Sequence, residues 1–406
     1  MQNVGAHERS RPLWKQRNFM LLWGGQLVSW LGTEVSSIAL PLVVLALTGS
    51  PAQVGVVAAI RGLVYVIWAL PAGALLDRWN RKTVLLVANL GSGLAMGSIA
   101  TGLATHHLTI TILYSACAVE GSCFVFANLA RFASFRKIVP EEQFAAATAQ
   151  SESATHLALF VGPPLGGFLF QAAGGFAAFF ADALSYLMNA CSVFLITTPL
   201  GVETTTARKA MPQEIKEAIL WLKGEPTKRF LTLIQASRTA VMAGLYLLIV
   251  VLAREQHASA FAIGLIFAVA ALGGILGATL AAKVYARYRL KQLLIAICLL
   301  SFLVMNLYFV ASSSALLAAV TALFYAIDPL WEVSTGAHPV AIVPDYIRGR
   351  VLSLTRMVLL AANSLGLFVT GQVLHYWGSG WTIGLYVAVL FVLLTAVLTN
   401  KRIGDF

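Results

Sequence analysis

The chain has 406 residues, of which 59% are hydrophobic and only 11% are charged, and its mean hydropathy is +0.80. A water-soluble domain usually carries about 25% charged residues, so this composition excludes an ordinary soluble domain. The net charge of +11 does not indicate nucleic-acid binding, because the cations are scattered over short segments between long apolar runs. These features predict an all-α membrane protein whose surface is mostly solvated by lipid.

Twelve apolar runs are long enough to cross a bilayer, since a transmembrane helix needs about 20 residues. In chain order they cover residues 18–47, 54–76, 83–104, 109–133, 143–171, 175–198, 229–253, 260–285, 292–311, 313–338, 351–376 and 380–399. An even number of spans places both termini on the same side of the membrane.

The distribution of Lys and Arg predicts which side that is. Arg254 is the one cation on one face of the predicted topology, and four others lie within spans: Arg61, Arg131, Arg238 and Arg356. All the remaining Lys and Arg fall on the opposite face, at the termini, in the central loop and in alternate short loops. Because cytoplasmic loops are enriched in these residues, both termini are predicted to be cytoplasmic, in the inner membrane of a bacterium.

The central loop, residues 199–228, is the one long polar stretch, and it divides the chain into predicted halves at 1–198 and 229–406. Within it, apolar residues recur at helical spacing from Met211 to Leu222, and Gly224 and Pro226 follow. This pattern predicts an amphipathic helix along the cytoplasmic surface. A disordered linker is the alternative.

An internal repeat supports two pseudo-symmetric halves of six helices each. The tripeptide Val139-Pro140-Glu141 precedes the fifth span, and Val343-Pro344-Asp345 precedes the eleventh. Weak repeats of this kind are typical of transporter folds.

A charged loop joins the second and third spans. It reads Gly73-Ala-Leu-Leu-Asp77-Arg78-Trp-Asn80-Arg81-Lys82. This loop resembles the signature of the major facilitator superfamily, with Asn80 where that family prefers glycine. The resemblance implies twelve transmembrane helices in two halves and a cytoplasmic gate built from Gly73, Asp77, Arg78, Arg81 and Lys82. The alternative is a cytoplasmic loop that is merely basic.

The fifth span contains Gly162-Pro163-x-x-Gly166-Gly167 on a face of small residues. Such a face lets a neighbouring helix approach closely and could act as a pivot. It resembles the helix 5 signature of exporters in the same superfamily, which implies an antiporter. Ordinary packing of small residues is the alternative.

Ionisable side chains within apolar spans are costly and are therefore candidates for function. Asp328 and Glu332 are four residues apart and share one helix face, where one carboxylate favours protonation of the other. The resemblance places the first, fourth, seventh and tenth spans around a central cavity. The proton-coupling candidates are Glu34, Glu120, Asp328 and Glu332. Arg131 and Glu152 are predicted at equal depth on neighbouring spans, as a structural or gating ion pair.

The remaining cavity candidates are Trp30, Arg238, Tyr246, Phe324 and Trp331. A mainly aromatic lining suits amphipathic small molecules better than sugars. The resemblance therefore implies a monomeric exporter of drugs, antibiotics or siderophores that works by proton antiport and alternating access. A lipid flippase, of lysophospholipids or other lipids, is the alternative function.

Other classes of protein lack support in the sequence. The four cysteines all lie in apolar runs and form no C-x-x-C pair, so no metal site is predicted. The chain has no phosphate-binding loop and no H-E-x-x-H or G-x-S-x-G motif. We therefore expect no cofactor, no ATP-driven pump and no intramembrane enzyme.

Overall fold

The computed structural model describes residues 12–69, 71–76, 78–201 and 211–400, and within these ranges it contains helices and no strand. The α-helices are α1 Arg17–Thr48, α2 Pro51–Ala69, α3 Pro71–Leu76, α4 Arg81–Ala104, α5 Ile110–Ile138, α6 Phe144–Phe194, α7 Met211–Gly224, α8 Pro226–Glu255, α9 Ala260–Arg287, α10 Leu290–Leu307, α11 Ser314–Ile342 and α12 Asp345–Thr399. The helix α7 lies where the periodicity of the central loop predicts one.

Ten helical segments within the described ranges are long and apolar enough to cross a membrane. Two of them are hairpins with a break in the backbone, at Gly174 in α6 and at Gly378 in α12. These glycines have φ of 71° and 80°, a left-handed conformation that side chains disfavour. Each break separates two predicted spans, so the ten segments provide twelve spans. The predicted all-α membrane fold is confirmed.

Local sequence sets several helix ends. The side chains of Asn80, Thr109, Ser259 and Ser313 each accept a hydrogen bond from the first turn of α4, α5, α9 and α11. A cap of this kind stabilises a helix by about 1 kcal/mol. The polar residues between the apolar runs therefore mark the ends of the spans.

The described residues pack into two compact units. One comprises Met1–Val43 and Ile67–Thr206, and the other comprises Val44–Val66 and Ala207–Phe406. The segment from Val44 to Val66, which includes most of α2, thus packs with residues from the C-terminal part of the chain. A Cβ atom on Gly55 would lie 2.8 Å from the Leu367 carbonyl, so glycine permits this contact between α2 and α12. The two six-helix halves of the internal repeat remain a prediction.

Large apolar side chains are exposed along most of the helices. Leu94 in α4 is 75% exposed, Leu276 in α9 is 65% exposed and Trp381 in α12 is 72% exposed. A protein in water rarely leaves so much apolar surface uncovered, whereas a bilayer solvates it.

Candidate functional site

In the second unit, three helices bring together a buried arginine, a serine and a carboxylate. The Arg238 residue on α8 is only 2% exposed. Its Nη2 donates to Asp328 Oδ1 on α11 at 3.3 Å, and its Nη1 donates to Ser301 Oγ on α10 at 2.9 Å. These contacts compensate a charge that would be costly to hold alone away from water.

Two aromatic rings of α11 flank the Arg238 guanidinium. Its central carbon lies 5.5 Å from the Phe324 ring centre and 5.2 Å from the Trp331 ring centre, within the range of cation–π attraction. Phe324, Asp328 and Trp331 follow one another at spacings of four and three residues. They therefore form one stripe along α11, with the carboxylate between the two rings.

A second carboxylate, Glu332, lies one turn beyond Asp328 on α11. Glu332 is exposed, whereas the Asp328 side chain is about two-thirds buried, with 33% of its surface exposed. Asp328 and Arg238 are the charged groups that act on Glu332. One cation and two accessible carboxylates can together exchange a proton or hold a cationic ligand.

The Arg238 cluster contains five of the side chains singled out in the sequence: Arg238, Phe324, Asp328, Trp331 and Glu332. Tyr246 lies farther along α8, with its ring centre 4.7 Å from that of Phe267. Ser301 was not predicted, although a hydroxyl within the apolar run of α10 was a usable signal, since buried polar groups need partners.

The first unit holds a candidate carboxylate that is buried. Glu120 on α5 is 3% exposed, and its Oε1 accepts a hydrogen bond from the Tyr186 hydroxyl on α6 at 3.0 Å. The same hydroxyl lies 3.1 Å from Thr33 Oγ1 on α1. Neither Tyr186 nor Thr33 was a predicted site residue. The contacts join three helices at the Tyr186 hydroxyl.

A cavity of about 30 Å³ lies beside Tyr186. Its lining includes Thr33, Asn89, Asn128, Arg131 and Tyr186. A space of this size is large enough for one water molecule, and the amide, hydroxyl and guanidinium groups of the lining are suitable hydrogen-bond partners for it.

The hydrogen bonds of Tyr186 lead to a stability prediction. Tyr186→Phe removes the hydroxyl and leaves the ring, so we expect a loss of about 1–3 kcal/mol in the free energy of unfolding, because the buried Glu120 loses one hydrogen-bond donor. Thr33→Val should lower the free energy of unfolding by less than Tyr186→Phe does. In thermal unfolding of the detergent-solubilised protein, the double variant should lose less than the sum of the two single losses. Additive losses would show that the two hydroxyls act independently.

Arg131 has partners other than the predicted one. Its Nη2 donates to Asn128 Oδ1 at 2.9 Å, and its guanidinium lies 4.8 Å from the Trp30 ring centre and 4.7 Å from that of Phe132. Glu152 on α6 attracts Arg131 electrostatically, at longer range than a direct ion pair. The Arg131–Glu152 ion pair therefore remains a prediction, and Trp30 contacts Arg131 within the first unit.

The small residues of the fifth span pack against α1. A Cβ atom on Gly166 would lie 2.5 Å from the Val35 carbonyl oxygen, and one on Gly162 would collide with the side chain of Glu34. Pro163 and Gly167 are also buried. The motif thus permits close packing inside the first unit, and it places the half-buried Glu34 directly against α6.

The charged loop before α4 is partly described. Asp77 lies outside the described residues, Gly73 is part of α3, and Arg78 is exposed. Lys82 Nζ donates to the carbonyls of Phe194 and Ile196 at 2.8 and 2.7 Å.

The backbone of Arg81 also contacts the segment that follows α6. Its amide donates to the Leu200 carbonyl at 3.3 Å. The loop therefore holds the end of α6 and the segment that follows it.

Comparison with known proteins identifies related sequences. A family profile described as Major Facilitator Superfamily matches residues 22–327. The multidrug efflux pump Tap of Mycobacterium tuberculosis is 24% identical over 402 residues, covering 94% of this chain and 91% of that protein. Macrolide efflux protein A of Streptococcus pyogenes is 24% identical over 212 residues, covering 52% of each chain.

Solved structures share the fold at low sequence identity. A bacterial homologue of the human lysosomal transporter Spinster, in an inward-facing and occupied conformation, aligns with a TM-score of 0.76 at 15% identity, covering 97% of this chain and 98% of that chain. The nucleoside transporter NupG aligns with a TM-score of 0.72 at 12% identity, covering 96% and 99%.

Proposed function

Because the chain belongs to the Major Facilitator Superfamily and is a multi-pass membrane transporter, we propose that it exports amphipathic small molecules in exchange for protons. The proposed substrates are of the drug, antibiotic or siderophore class. The relatives named as multidrug and macrolide efflux proteins support this direction of transport. The protein acts as a monomer in the inner membrane of a bacterium, with both termini in the cytoplasm, by alternating access.

The observation that carries the proposal is the Arg238 cluster. A buried guanidinium pairs with Asp328 between two aromatic rings, and the exposed Glu332 lies one turn away. Both rings are fully buried and pack on the guanidinium, whereas the two carboxylates are accessible and offer negative charge. Accessible negative charge within an apolar helix bundle suits a cationic amphipathic substrate.

Proton exchange follows from competition for the two carboxylates. A proton on Asp328 or Glu332 removes the negative charge that a cationic substrate needs, so proton and substrate disfavour each other's binding. Arg238 takes part in this exchange, because its guanidinium contacts Asp328 and competes with the proton and the substrate for that carboxylate. In the outward-facing state a proton binds and the substrate is released. In the inward-facing state the proton is released and a new substrate binds.

The other candidate residues have supporting roles in this proposal. Glu120 and Glu34 in the first unit are additional proton carriers. The charged loop from Gly73 to Lys82 gates the cytoplasmic side, and the Gly162–Gly167 motif permits the helix movement of an antiporter. Arg131 and Glu152 pair as a gating contact.

A protection assay tests the proposed function. The protein is expressed in an efflux-deficient bacterial host, and growth is measured against a panel of amphipathic cations and macrolides, with and without a protonophore. We expect resistance to several compounds that the protonophore abolishes, and that Arg238→Gln also abolishes. Resistance that persists with the protonophore would contradict proton antiport and favour a lipid flippase or a uniporter.

A further inference from the structure

Three segments of the first unit enclose a concave site that the proposed transport chemistry does not use. They are residues 15–19 at the start of α1, residues 136–141 at and after the end of α5, and residues 197–198 after α6. The enclosed volume is about 600 Å³. This is large enough for a small organic anion such as a lipid headgroup.

Hydrogen bonds between the segments fix the walls of this site. Asn18 Nδ2 donates to Thr198 Oγ1 at 2.6 Å, and Asn18 Oδ1 accepts from the Thr197 amide at 3.2 Å. Gln16 Nε2 donates to Gln143 Oε1 at 2.7 Å. The three segments are therefore held in a defined arrangement.

The site is strongly cationic. Lys15, Arg17, Arg136 and Lys137 line it, against one carboxylate, that of Glu141. Lys137 Nζ donates to the Gly201 carbonyl at 2.5 Å, so part of its charge is already engaged.

Two of these cations are available to a ligand. Arg17 and Arg136 are exposed, and their guanidinium groups form no ion pair or hydrogen bond with the described part of the chain. Two such groups suit the paired oxygens of a phosphate.

Apolar surface adjoins the site on its membrane side. Phe132 is one turn before Arg136 and is 42% exposed, and Phe194 and Leu195, just before Thr197, are 68% and 49% exposed. Such surface is solvated by acyl chains in a bilayer. A molecule that combines a phosphate with acyl chains would match both the arginines and this adjoining surface.

We propose that this site binds the headgroup of an anionic phospholipid of the cytoplasmic leaflet. The phosphate lies between Arg17 and Arg136, and the acyl chains follow the exposed faces of α5 and α6. Basic pockets on the cytoplasmic side of membrane proteins bind lipid headgroups by this attraction. The inference rests on the proposed topology, in which these cations face the cytoplasm. It does not depend on which substrate is transported.

Lipid retention tests the proposal directly. Purified protein is equilibrated in mixed micelles containing equal amounts of phosphatidylglycerol and phosphatidylcholine, and bound lipids are counted by native mass spectrometry. We expect the wild-type protein to retain phosphatidylglycerol preferentially. The variant Arg17→Gln/Arg136→Gln should lose this preference by about tenfold, and Arg136→Gln alone should lie between the two.

A matched control removes the same amount of charge elsewhere. Lys283 and Arg287 are exposed cations at the end of α9 in the second unit, so Lys283→Gln/Arg287→Gln should keep the wild-type preference. An equal loss in both double variants would overturn the proposal, because general surface charge would then explain the binding. Wild-type preference in Arg17→Gln/Arg136→Gln would overturn it as well.

A competition arm separates a lipid from a soluble phosphate. Millimolar glycerol phosphate should leave phosphatidylglycerol bound to the wild-type protein, because the acyl chains add contacts that the soluble anion lacks. Complete displacement would assign the site to a soluble phosphate and overturn the lipid proposal.

Discussion

Glu332→Gln is expected to abolish uphill, proton-driven export, with a loss of at least tenfold, while substrate binding falls by less than threefold. The reason is that glutamine keeps the size and polarity of the side chain but can neither take up nor release a proton. Transport should therefore persist as downhill exchange of substrate across the membrane. The measurement compares uphill uptake with substrate counterflow in inside-out proteoliposomes.

Two further variants make this prediction specific. Asp328→Asn should have a similar effect, and the double variant should lose less than the sum of the single effects, because the two carboxylates share one Arg238. Glu255→Gln is the matched control, since Glu255 is a carboxylate at the end of α8 whose partner is Ser379. Equal loss of uphill transport and counterflow in Glu332→Gln would show a defect in binding or folding instead.

Gly166→Val is expected to lower the thermal unfolding midpoint of the detergent-solubilised protein by roughly 5 °C. Any Cβ atom at Gly166 would lie 2.5 Å from the Val35 carbonyl oxygen and 2.9 Å from its Cα, both backbone atoms. A backbone cannot rotate away as a flexible side chain can, so α1 must move from α6. Transport should fall with stability, because α1 carries Glu34 and Thr33.

Gly24→Ala is the control for this effect. Gly24 is also a helical glycine of the first unit, but a Cβ atom there would meet nothing within 4 Å. Alanine favours a helix over glycine, so stability should be unchanged or slightly higher. If both substitutions lower the unfolding midpoint equally, glycine flexibility, and not close packing, is what the protein requires.

The sequence predicts the spans well, because each depends on local composition. The break at Gly174 and the break at Gly378 fall in the short gaps between predicted spans, where a glycine can adopt positive φ. The assignment of residues 44–66 to the second compact unit was not predictable. It depends on which distant helix the small surface around Gly55 meets, and periodicity carries no information about the partner.

In the candidate site, too, features within one helix could be predicted, whereas contacts between helices could not. The stripe of Phe324, Asp328 and Trp331 follows from helical spacing, so it could be predicted. The pairing of Asp328 with Arg238 and the contact of Arg131 with Asn128 depend on distances between side chains on folded helices. A buried cation needs a partner, but the sequence alone does not select one among several.

The most direct test of the account is whether substrate binding releases protons from Asp328 and Glu332. Purified protein in weakly buffered detergent solution is mixed with a cationic substrate found in the protection assay, and a pH-indicator dye reports the change. The wild-type protein should release protons on binding, and the Asp328→Asn/Glu332→Gln variant, still binding substrate, should release few or none. Wild-type proton release in that variant would contradict the central claim and place the exchanged proton on another group, with Glu34 and Glu120 as the next candidates.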